Sequence, residues 1–490
     1  MPKFDTVFIA NRGEIAVRVA STLRSLGIRS IAPYTEPDRK AYHTQVVDLA
    51  VPVQSYLHGE QLISLAREKG AQAVHPGYGF LSENAEFCAA CQKAGLEFIG
   101  PSPDAIARMG DKLLAKQQMK QAGLPMVPSW SGPPEEAVEG ARSLGYPLLV
   151  KAAAGGGGKG MRLVKEESEL PQAIERARGE ALKAFGDDSF FLEKFIVNPR
   201  HIEVQIFGDK HGNALCFGER ECSLQRRYQK IIEEAPSLAV SPDLREKLVK
   251  AGVNAVRALN YTGAGTVEFI LDEDEHFYFL EVNTRLQVEH PVTELVYGVD
   301  LVALQIAVAE GAPLAIEQSF LKPRGWAMEA RVYAEDPDDG FLPSVGTLGV
   351  FQPPAGPNLR LDTGFRQGDE VSIHFDPMLA KLISYGPDRE AARRGLLAGL
   401  KEFAVLGVTT NIPYLGRILS HPTFIDGEFH TQFLEASGSL FSRTEDSSKQ
   451  ALALALVGAF GPRTKELGSP PNGSPPAPTP WASLGEWRLN

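Results

Sequence analysis

Cysteine is scarce in this chain, with four residues in 490. That excludes a disulfide scaffold and fits a reducing compartment. Cys88 and Cys91 form a C-x-x-C, but AEFCAACQKAG reads as a helix and has no nearby histidine or second close pair. Two small buried hydrophobes are expected there, not a zinc or redox site. Long apolar runs are also missing: the longest, 451–460, is half of the roughly 20 helical residues that span a bilayer. The opening MPKFDTVFIA has no apolar core region or cleavage site, so no signal peptide, no membrane partner and a cytoplasmic location are expected. Positive charge is in deficit, 50 Lys plus Arg against 61 Asp plus Glu for a net −11. A general nucleic-acid surface is therefore excluded, whereas a local basic pocket for phosphates is not. No internal repeat is visible.

What is present is the composition of an ordinary globular chain, 43% hydrophobic and 23% charged, long enough for two to four domains. Residues 4–100 alternate strand and helix (FDTVFIA, EIAVRVASTLRSLG, RSIAPYT, EQLISLAREKG, AQAVH, AEFCAACQKAG, LEFIG), the rhythm of a doubly wound parallel sheet. The first strand–helix turn, Asn11-Arg12-Gly13-Glu14, lacks the three glycines of a dinucleotide fingerprint, which removes the main support for a dehydrogenase. The loop HPGYGFLSEN at 75–84 follows a strand at its C-terminal end, where ligands bind in open α/β sheets. A helix over 104–123 carries Lys112, and Pro125, Pro128, Pro133 and Pro134 mark a boundary after it.

The strand YPLLVKAA delivers Lys151 just before Gly155, Gly156, Gly157 and Gly158, with Lys159 following. Backbone N–H groups of such glycines wrap phosphate oxygens, although the spacing to the lysine is not the Walker one. SFFLEKFIV at 189–197 is the next strand, and CSLQRRYQKII brings Gln225, Arg226, Arg227 and Lys230 together in an otherwise acidic chain. The densest stretch is 277–294, FYFLEVNTRLQVEHPVTE. Residues 277–280 read as a buried strand, and six polar groups follow in ten residues: Glu281, Asn283, Arg285, Gln287, Glu289 and His290. A strand that ran on would set Glu281, Asn283, Arg285, Gln287 and Glu289 on one face. Glu268 lies thirteen residues before Glu281, in TVEFILD. Two carboxylates from neighbouring strands, with an amide beside them, suit a hard divalent cation against phosphates, and an arginine next to them suits a small anion. TELVYGVDLVALQIAVAEG reads as an amphipathic helix, WAMEARVYAED as a strand carrying Arg331, and later segments as further β structure and the helix DREAARRGLLAGLKEF. Residues 468–480, with six prolines in thirteen positions, read as an extended linker.

Four of these segments in this order, HPGYGFLSEN, KAAAGGGGKGM, ERECSLQRRYQKIIEEAP and EVNTRLQVEHPVTE, closely resemble biotin carboxylase, the ATP-grasp component of biotin-dependent carboxylases. The resemblance runs from about residue 3 to about residue 442. It implies a mixed α/β and α+β protein with an N-terminal doubly wound domain at 1–110, a linker and mobile ATP-grasp lid at 111–203, the large ATP-grasp half at 204–322 and a C-terminal mixed α+β domain at 323–445. Residues 446–490 would hold a helix, the linker and the start of a further domain. The implied reaction is carboxylation of biotin with ATP and bicarbonate, through carboxyphosphate.

By the same resemblance Glu268, Glu281 and Asn283 hold Mg2+ or Mn2+. ATP falls to Lys112, Lys151, the glycines 155–158, Glu193, Lys194, Ile196, His201 and Gln225. Lys230, Arg285, Gln287 and Val288 cradle bicarbonate, Glu289 is its base, Arg331 stabilises the biotin enolate, and Tyr78 lies near biotin. Tyr228 stands where histidine is commoner, and Lys159 where arginine is. Another bicarbonate-activating ATP-grasp ligase, of the carbamoyl-phosphate synthetase kind, is the nearest alternative, and a non-catalytic nucleotide-binding subunit a more distant one. The implied partners are a biotin carboxyl carrier and a carboxyltransferase subunit, because the only Met-Lys pair, Met119-Lys120, lacks the Met-Lys-Met setting of a biotinylated lysine. Arg18 matches the interface helix of the family's dimers, implying a homo-oligomer, while Ser21 and Ser25 stand where charged residues occur there. GGGGKGM and the closing PWASLGEWRLN are similar to α subunits of methylcrotonyl- or geranyl-type acyl-CoA carboxylases.

Overall fold

The computed structural model describes residues 4–152, 161–185 and 189–438, all within the unit Met1–Ser442. Five parallel strands open the chain: β1 (Thr6–Ile9), β2 (Arg29–Tyr34), β3 (Leu49–Pro52), β4 (Ala73–His75) and β5 (Glu97–Phe98), in the order β3-β2-β1-β4-β5. β1 and β4 are short, fully buried apolar runs, as strands covered on both faces must be. β3 carries no sequence signal of comparable strength, being four residues that end in Pro52. The winding reverses between β1 and β4, the usual ligand position in such sheets. Asn11, just past β1, ties the two strand ends together by donating from Nδ2 to Pro76 O and Tyr78 O, both at 2.8 Å. Gly77 (φ +64°) makes this passage, and a Cβ there would meet Asn11 Nδ2 at 2.8 Å.

The helix expected over 104–123 is two helices, Pro103–Gly110 and Lys112–Gln121. Asp111 between them has extended backbone, and its carboxylate accepts from Leu113 N at 2.9 Å and Leu114 N at 3.1 Å. An aspartate that caps a new helix ends the old one. A four-stranded antiparallel sheet follows, β6 (Ser129–Trp130), β7 (Leu148–Ala152), β8 (Met161–Val164) and β9 (Phe190–Lys194), in the order β6-β9-β7-β8. β9 stops short of the 189–197 stretch expected from its sequence. Gly155, Gly156, Gly157 and Gly158 lie outside the described residues, as do 446–490.

The largest sheet has eight strands. Its order is β14 (Phe277–Asn283), β13 (Gly263–Leu271), β10 (Arg200–Gly208), β11 (Ala214–Arg226), β12 (Gln229–Ala235), β15 (Trp326–Tyr333), then strands Met378–Gly386 and Leu359–Thr363. Pairing of β12 with β15 carries this sheet across residues 322–323. The helix Pro242–Leu259 covers one face, started by Ser241 accepting from Leu244 N at 3.2 Å and closed by left-handed Asn260. Its Leu244, Leu248, Ala251, Ala255 and Leu259 pack on Val204, Ile206, Val267 and Phe269. The opposite face of the same strands is polar. Glu203 and Gln205 alternate with Ile202, Val204 and Ile206 on β10, all five fully buried. They are satisfied by Arg220 of β11, itself fully buried. Arg220 Nε donates to Glu203 at 2.5 Å, Nη1 to Gln205 at 2.7 Å and Thr293 at 2.9 Å, and Nη2 to Thr266 at 3.1 Å and Gln287 at 2.8 Å. All the N–H donors of the guanidinium are thereby used.

The helix expected over 293–311 is also two, His290–Tyr297 and Leu301–Ala309, at 92°. Left-handed Gly298 ends the first, and Asp300 caps the second by accepting from Ala303 N. The second is apolar around most of its surface, with Leu301, Val302, Ile306, Val308 and Ala309 buried, so it is a core helix, not an amphipathic one. Among the described residues no single helix is long and apolar enough to cross a membrane. Removing the cation at the centre of the polar face leaves Glu203 and four neutral groups short of donors. Arg220→Met is therefore expected to destabilise the protein by about 3–5 kcal/mol, read as a drop in the urea midpoint.

Candidate active site

Two β-bulges decide which side chains reach the polar face. Glu268 of β13 stands opposite Glu281 of β14, yet the next residue, Phe269, stands opposite Phe279. Leu280 is the extra residue, and it reverses the alternation of β14. Phe279 consequently joins the core with Phe269 and Val282, while Glu281 and Asn283 share the polar face with Glu268 and Thr266. The expected buried strand is thus the sheet's edge, with Leu280 and Glu281 exposed. Nor does it run on: β14 ends at Asn283, and residues 284–289 turn into the helix His290–Tyr297 without strand alternation. In β12 the partners of Leu224 and Gln225 are Ile232 and Lys230, so Ile231 is extra and Lys230 turns to the side that Glu233 faces.

Lys230 and Arg331 meet at Glu289. Lys230 Nζ lies 2.6 Å from Glu289 Oε1, 2.6 Å from Glu203 Oε2 and 3.2 Å from Glu268 Oε1. Arg331 Nη2 donates to Glu289 Oε2 at 3.0 Å, and its Nε donates to Glu233 Oε1 at 2.6 Å. Burial opposes the charge on each of these groups. Glu203, Glu289 and Glu268 nevertheless outweigh it at Lys230 and raise its pKa well above the ordinary lysine value. At Glu289, burial is likewise outweighed by Lys230, Arg331 and Arg220, which hold the carboxyl well below the usual range. Glu289 also stands at the N-terminal boundary of the helix His290–Tyr297, where an anion is favoured.

Around Glu268, Asn283 Nδ2 and Gln287 Nε2 donate to Oε1 at 2.8 and 2.7 Å, and His201 Nε2 lies 2.8 Å from Oε2. His201 Nδ1 is in turn 2.9 Å from Gln225 Nε2. Burial disfavours the imidazolium, but Glu268 overrides it and raises the His201 pKa. Although Glu281 stands at the exposed edge, the protein packed around part of its carboxyl, and then the facing Glu268, raise its pKa. Two like charges on one face, with an amide oxygen at Asn283, are a donor set that a hard divalent cation fits. Glu203, with His201 and Glu268, forms another close group of ligand atoms, but the Lys230 ammonium already neutralises it.

Arg285 reaches outward, with Nε donating to Glu83 at 2.9 Å and Nη2 to Asn283 Oδ1 at 3.1 Å. Arg285, Val288, Arg331 and Tyr78 line one cavity of about 560 Å³, together with Asn11, Arg12, Phe80 and Phe375. Tyr78 donates its hydroxyl to Glu14, and burial keeps the phenol protonated by raising its pKa well above normal. The Val288 carbonyl accepts from Lys381 Nζ at 2.9 Å.

The other nucleotide candidates sit on the four-stranded sheet. Lys151 of β7 is bonded to Glu193 of β9, with Lys116 Nζ at 3.6 Å. Lys194 Nζ donates to Tyr146 O at 3.4 Å, and Ile196 is half-buried. Lys112 is exposed at its helix start and acts electrostatically on Glu281. Among the described residues no hydrogen bond joins Lys151, Glu193 or Lys194 to the Glu268 group. Three functional groups escaped the sequence reading: Arg220, Glu203 and Glu233. Their signal was available, since charged residues inside the strands HIEVQIFG, LCFGERECSL and KIIEEA require buried partners.

Comparison with known proteins bears on this arrangement. Residues 3–106 match the family model "Biotin carboxylase, N-terminal domain", 111–317 "Carbamoyl-phosphate synthase L chain, ATP binding domain", and 329–436 "Biotin carboxylase C-terminal domain". The methylcrotonoyl-CoA carboxylase subunit alpha of Dictyostelium discoideum is 46% identical over 99% of this chain and 70% of its own length. The chain spans 65% of the rat counterpart. Biotin carboxylase 1 of Bacillus subtilis is 46% identical over 88% of this chain and 98% of that one. The biotin carboxylase domain dimer of Hydrogenobacter thermophilus 2-oxoglutarate carboxylase, solved with MgADP, ADP and bicarbonate, superposes with a TM-score of 0.81 at 44% identity. It covers 90% of this chain and 99% of that one. The central model carries the name of carbamoyl-phosphate synthase, whereas the models on both sides of it are those of biotin carboxylase: the chain belongs to the biotin carboxylase family of ATP-dependent ligases.

Proposed function

We infer that this chain carboxylates biotin with ATP and bicarbonate as the first half-reaction of an acyl-CoA carboxylase, with Glu289 as the base on bicarbonate. The observation that carries the role is the convergence of Lys230 and Arg331 on the two oxygens of Glu289. A carboxylate so held is ionised and ready to accept a proton, but it is a weak base. A substrate anion entering here competes for the same two cations. As Lys230 turns to phosphoryl and bicarbonate oxygens, Glu289 loses its strongest stabiliser and its basicity rises when the proton must move. Lys230 neutralises the phosphoryl oxygens, Arg285 and Gln287 orient bicarbonate, and Arg331, at the wall of the Tyr78 cavity, faces the ureido oxygen of biotin as negative charge develops on it. Glu268, Glu281 and Asn283 would hold Mg2+ or Mn2+, which supplies charge neutralisation at the nucleotide phosphates.

A biotin carboxyl carrier, as a domain or a protein, and a carboxyltransferase subunit are proposed as partners. Met119, of the sole Met-Lys pair, is fully buried in the helix Lys112–Gln121, where a biotin ligase has no access to an exposed hairpin. The similarity to α subunits of methylcrotonoyl- and propionyl-CoA carboxylases supports an acyl-CoA as final acceptor, once a carboxyltransferase takes over the carboxylated carrier.

ADP release is expected only when bicarbonate and biotin are both present, and Lys230→Gln or Glu289→Gln should lower its turnover by about 10²–10³. Near-normal turnover of either variant at saturating bicarbonate would remove Glu289 from this role. Glu281→Gln takes one charge from the cation site and should raise the Mg2+ concentration for half-maximal rate, whereas an unchanged titration would make Glu281 structural. Intact-mass measurement after treatment with biotin ligase should show no stoichiometric adduct on this chain.

A further inference from the structure

Glu329 has no place in the reaction just described, and its surroundings are unusual for a carboxyl group. It lies on β15, fully buried, and neither of its oxygens has a hydrogen-bond partner among the described residues. Directly opposite on β12 stands Glu233, also fully buried, and residues paired this way share a face. Two positions along β15, on the same face, is Arg331, which Glu233 binds at 2.5–2.6 Å. The second oxygen of Glu233 has no hydrogen-bond partner among the described residues.

The charges facing Glu329 are already committed. Arg331 is shared between Glu233 and Glu289. Lys381, from the strand Met378–Gly386, serves Glu14 at 3.0 Å, Asp362 at 3.5 Å and the Val288 carbonyl at 2.9 Å. Lys230 serves Glu203, Glu268 and Glu289. The helix His290–Tyr297 contributes apolar neighbours, Val292 and Val296, which pack with Ala235, Ala327 and Ile383. An ionised Glu329 would be a third carboxylate competing for one guanidinium, with no hydrogen bond to either oxygen among the described residues, and such a charge is expensive.

We propose that Glu329 is a positioning residue that carries a proton in the working enzyme, so that Glu233 alone anchors Arg331 and the guanidinium keeps its free edge toward Glu289 and the biotin cavity. Burial, and then the facing Glu233, raise the Glu329 carboxyl well above its ordinary 4.5, against the pull of Lys381 and Arg331. When the proton is lost at alkaline pH, the second carboxylate draws Arg331 back into the sheet and turnover falls. The inference rests on the role given to Arg331 above, but its first two readouts do not.

The sign of the stability effect follows from linkage. A carboxyl whose folded pKa is raised contributes stability that is complete below its unfolded pKa and is lost as pH rises toward the folded value. Glu329→Gln removes that loss while keeping shape and charge. The urea midpoint of E329Q should therefore gain on that of the parent protein as pH rises from about 5 to about 8. Infrared difference spectra of the parent minus E329Q should show the carbonyl stretch of a protonated carboxyl, and this band should weaken in Glu233→Gln, which removes the facing carboxylate and frees Arg331 for Glu329. In biotin-dependent ADP release, the alkaline limb of kcat should move to higher pH, with E329Q about threefold or more above the parent there. A constant midpoint gap, or the absence of the protonated-carboxyl band, overturns the proposal. Should E329Q not fold, Glu329→Leu, equally neutral, is expected to fold and lack the band. If both neutral variants fail to fold, an ionised Glu329 is required and the proposal is wrong. Lack of biotin-dependent ADP release in parent and variant alike, with the band intact, would instead overturn the biotin carboxylase assignment.

Discussion

Much of this protein depends on one buried guanidinium. A charge placed where no water reaches must have every donor matched, or the fold pays several kcal/mol for it. Arg220 meets that demand with five acceptors drawn from β10, β13, the residues after β14 and the helix His290–Tyr297. None of these segments can slip by a residue without stranding a donor, so the arginine sets the register of the whole polar face. Gln287, which it holds, is one of the two amides that orient Glu268. Structural and catalytic roles thus meet in one hydrogen-bond network.

From that anchor the charges alternate in sign across the sheet: Glu268, Lys230, Glu289, Arg331, Glu233. Each ion is stabilised against desolvation by neighbours on both sides, and removing any one exposes the next. Such a chain tolerates an incoming anion well. In the mechanism proposed above, phosphate or bicarbonate would replace one carboxylate as the partner of Lys230, and the displaced carboxylate would become the base. The same dense charge explains why Glu329, lacking any free cation, is the group that cannot share in it as an anion.

The N-terminal sheet contributes the other wall of the site. Its switch point between β1 and β4 carries Tyr78 to within the cavity that Arg331 and Arg285 line, and Asn11 holds the two strand ends in place. The C-terminal segment supplies Arg331 through β15, which extends the ATP-grasp sheet instead of forming a separate one. The charged cluster is in this way set on one continuous sheet, and the cavity lies between that sheet and the N-terminal one.

The residue types at this site were legible in the chain because function demands them in runs: carboxylates and amides in EVNTRLQVEH and cations in QRRYQK. The parallel rhythm of residues 4–100 was legible too, since strands buried on both faces must be short and apolar. Tertiary structure alone decided which side each residue takes. Leu280 and Ile231 look like ordinary strand residues, yet as bulges they turn Glu281 and Lys230 toward the site, and period-two alternation would have sent Glu281 to the side of Phe279. For Arg220, Glu203, Glu233 and Glu329 the strands showed charges that need buried partners, but not which partners. A buried charge is recognised by the partners that surround it, and those partners come from strands far apart in sequence.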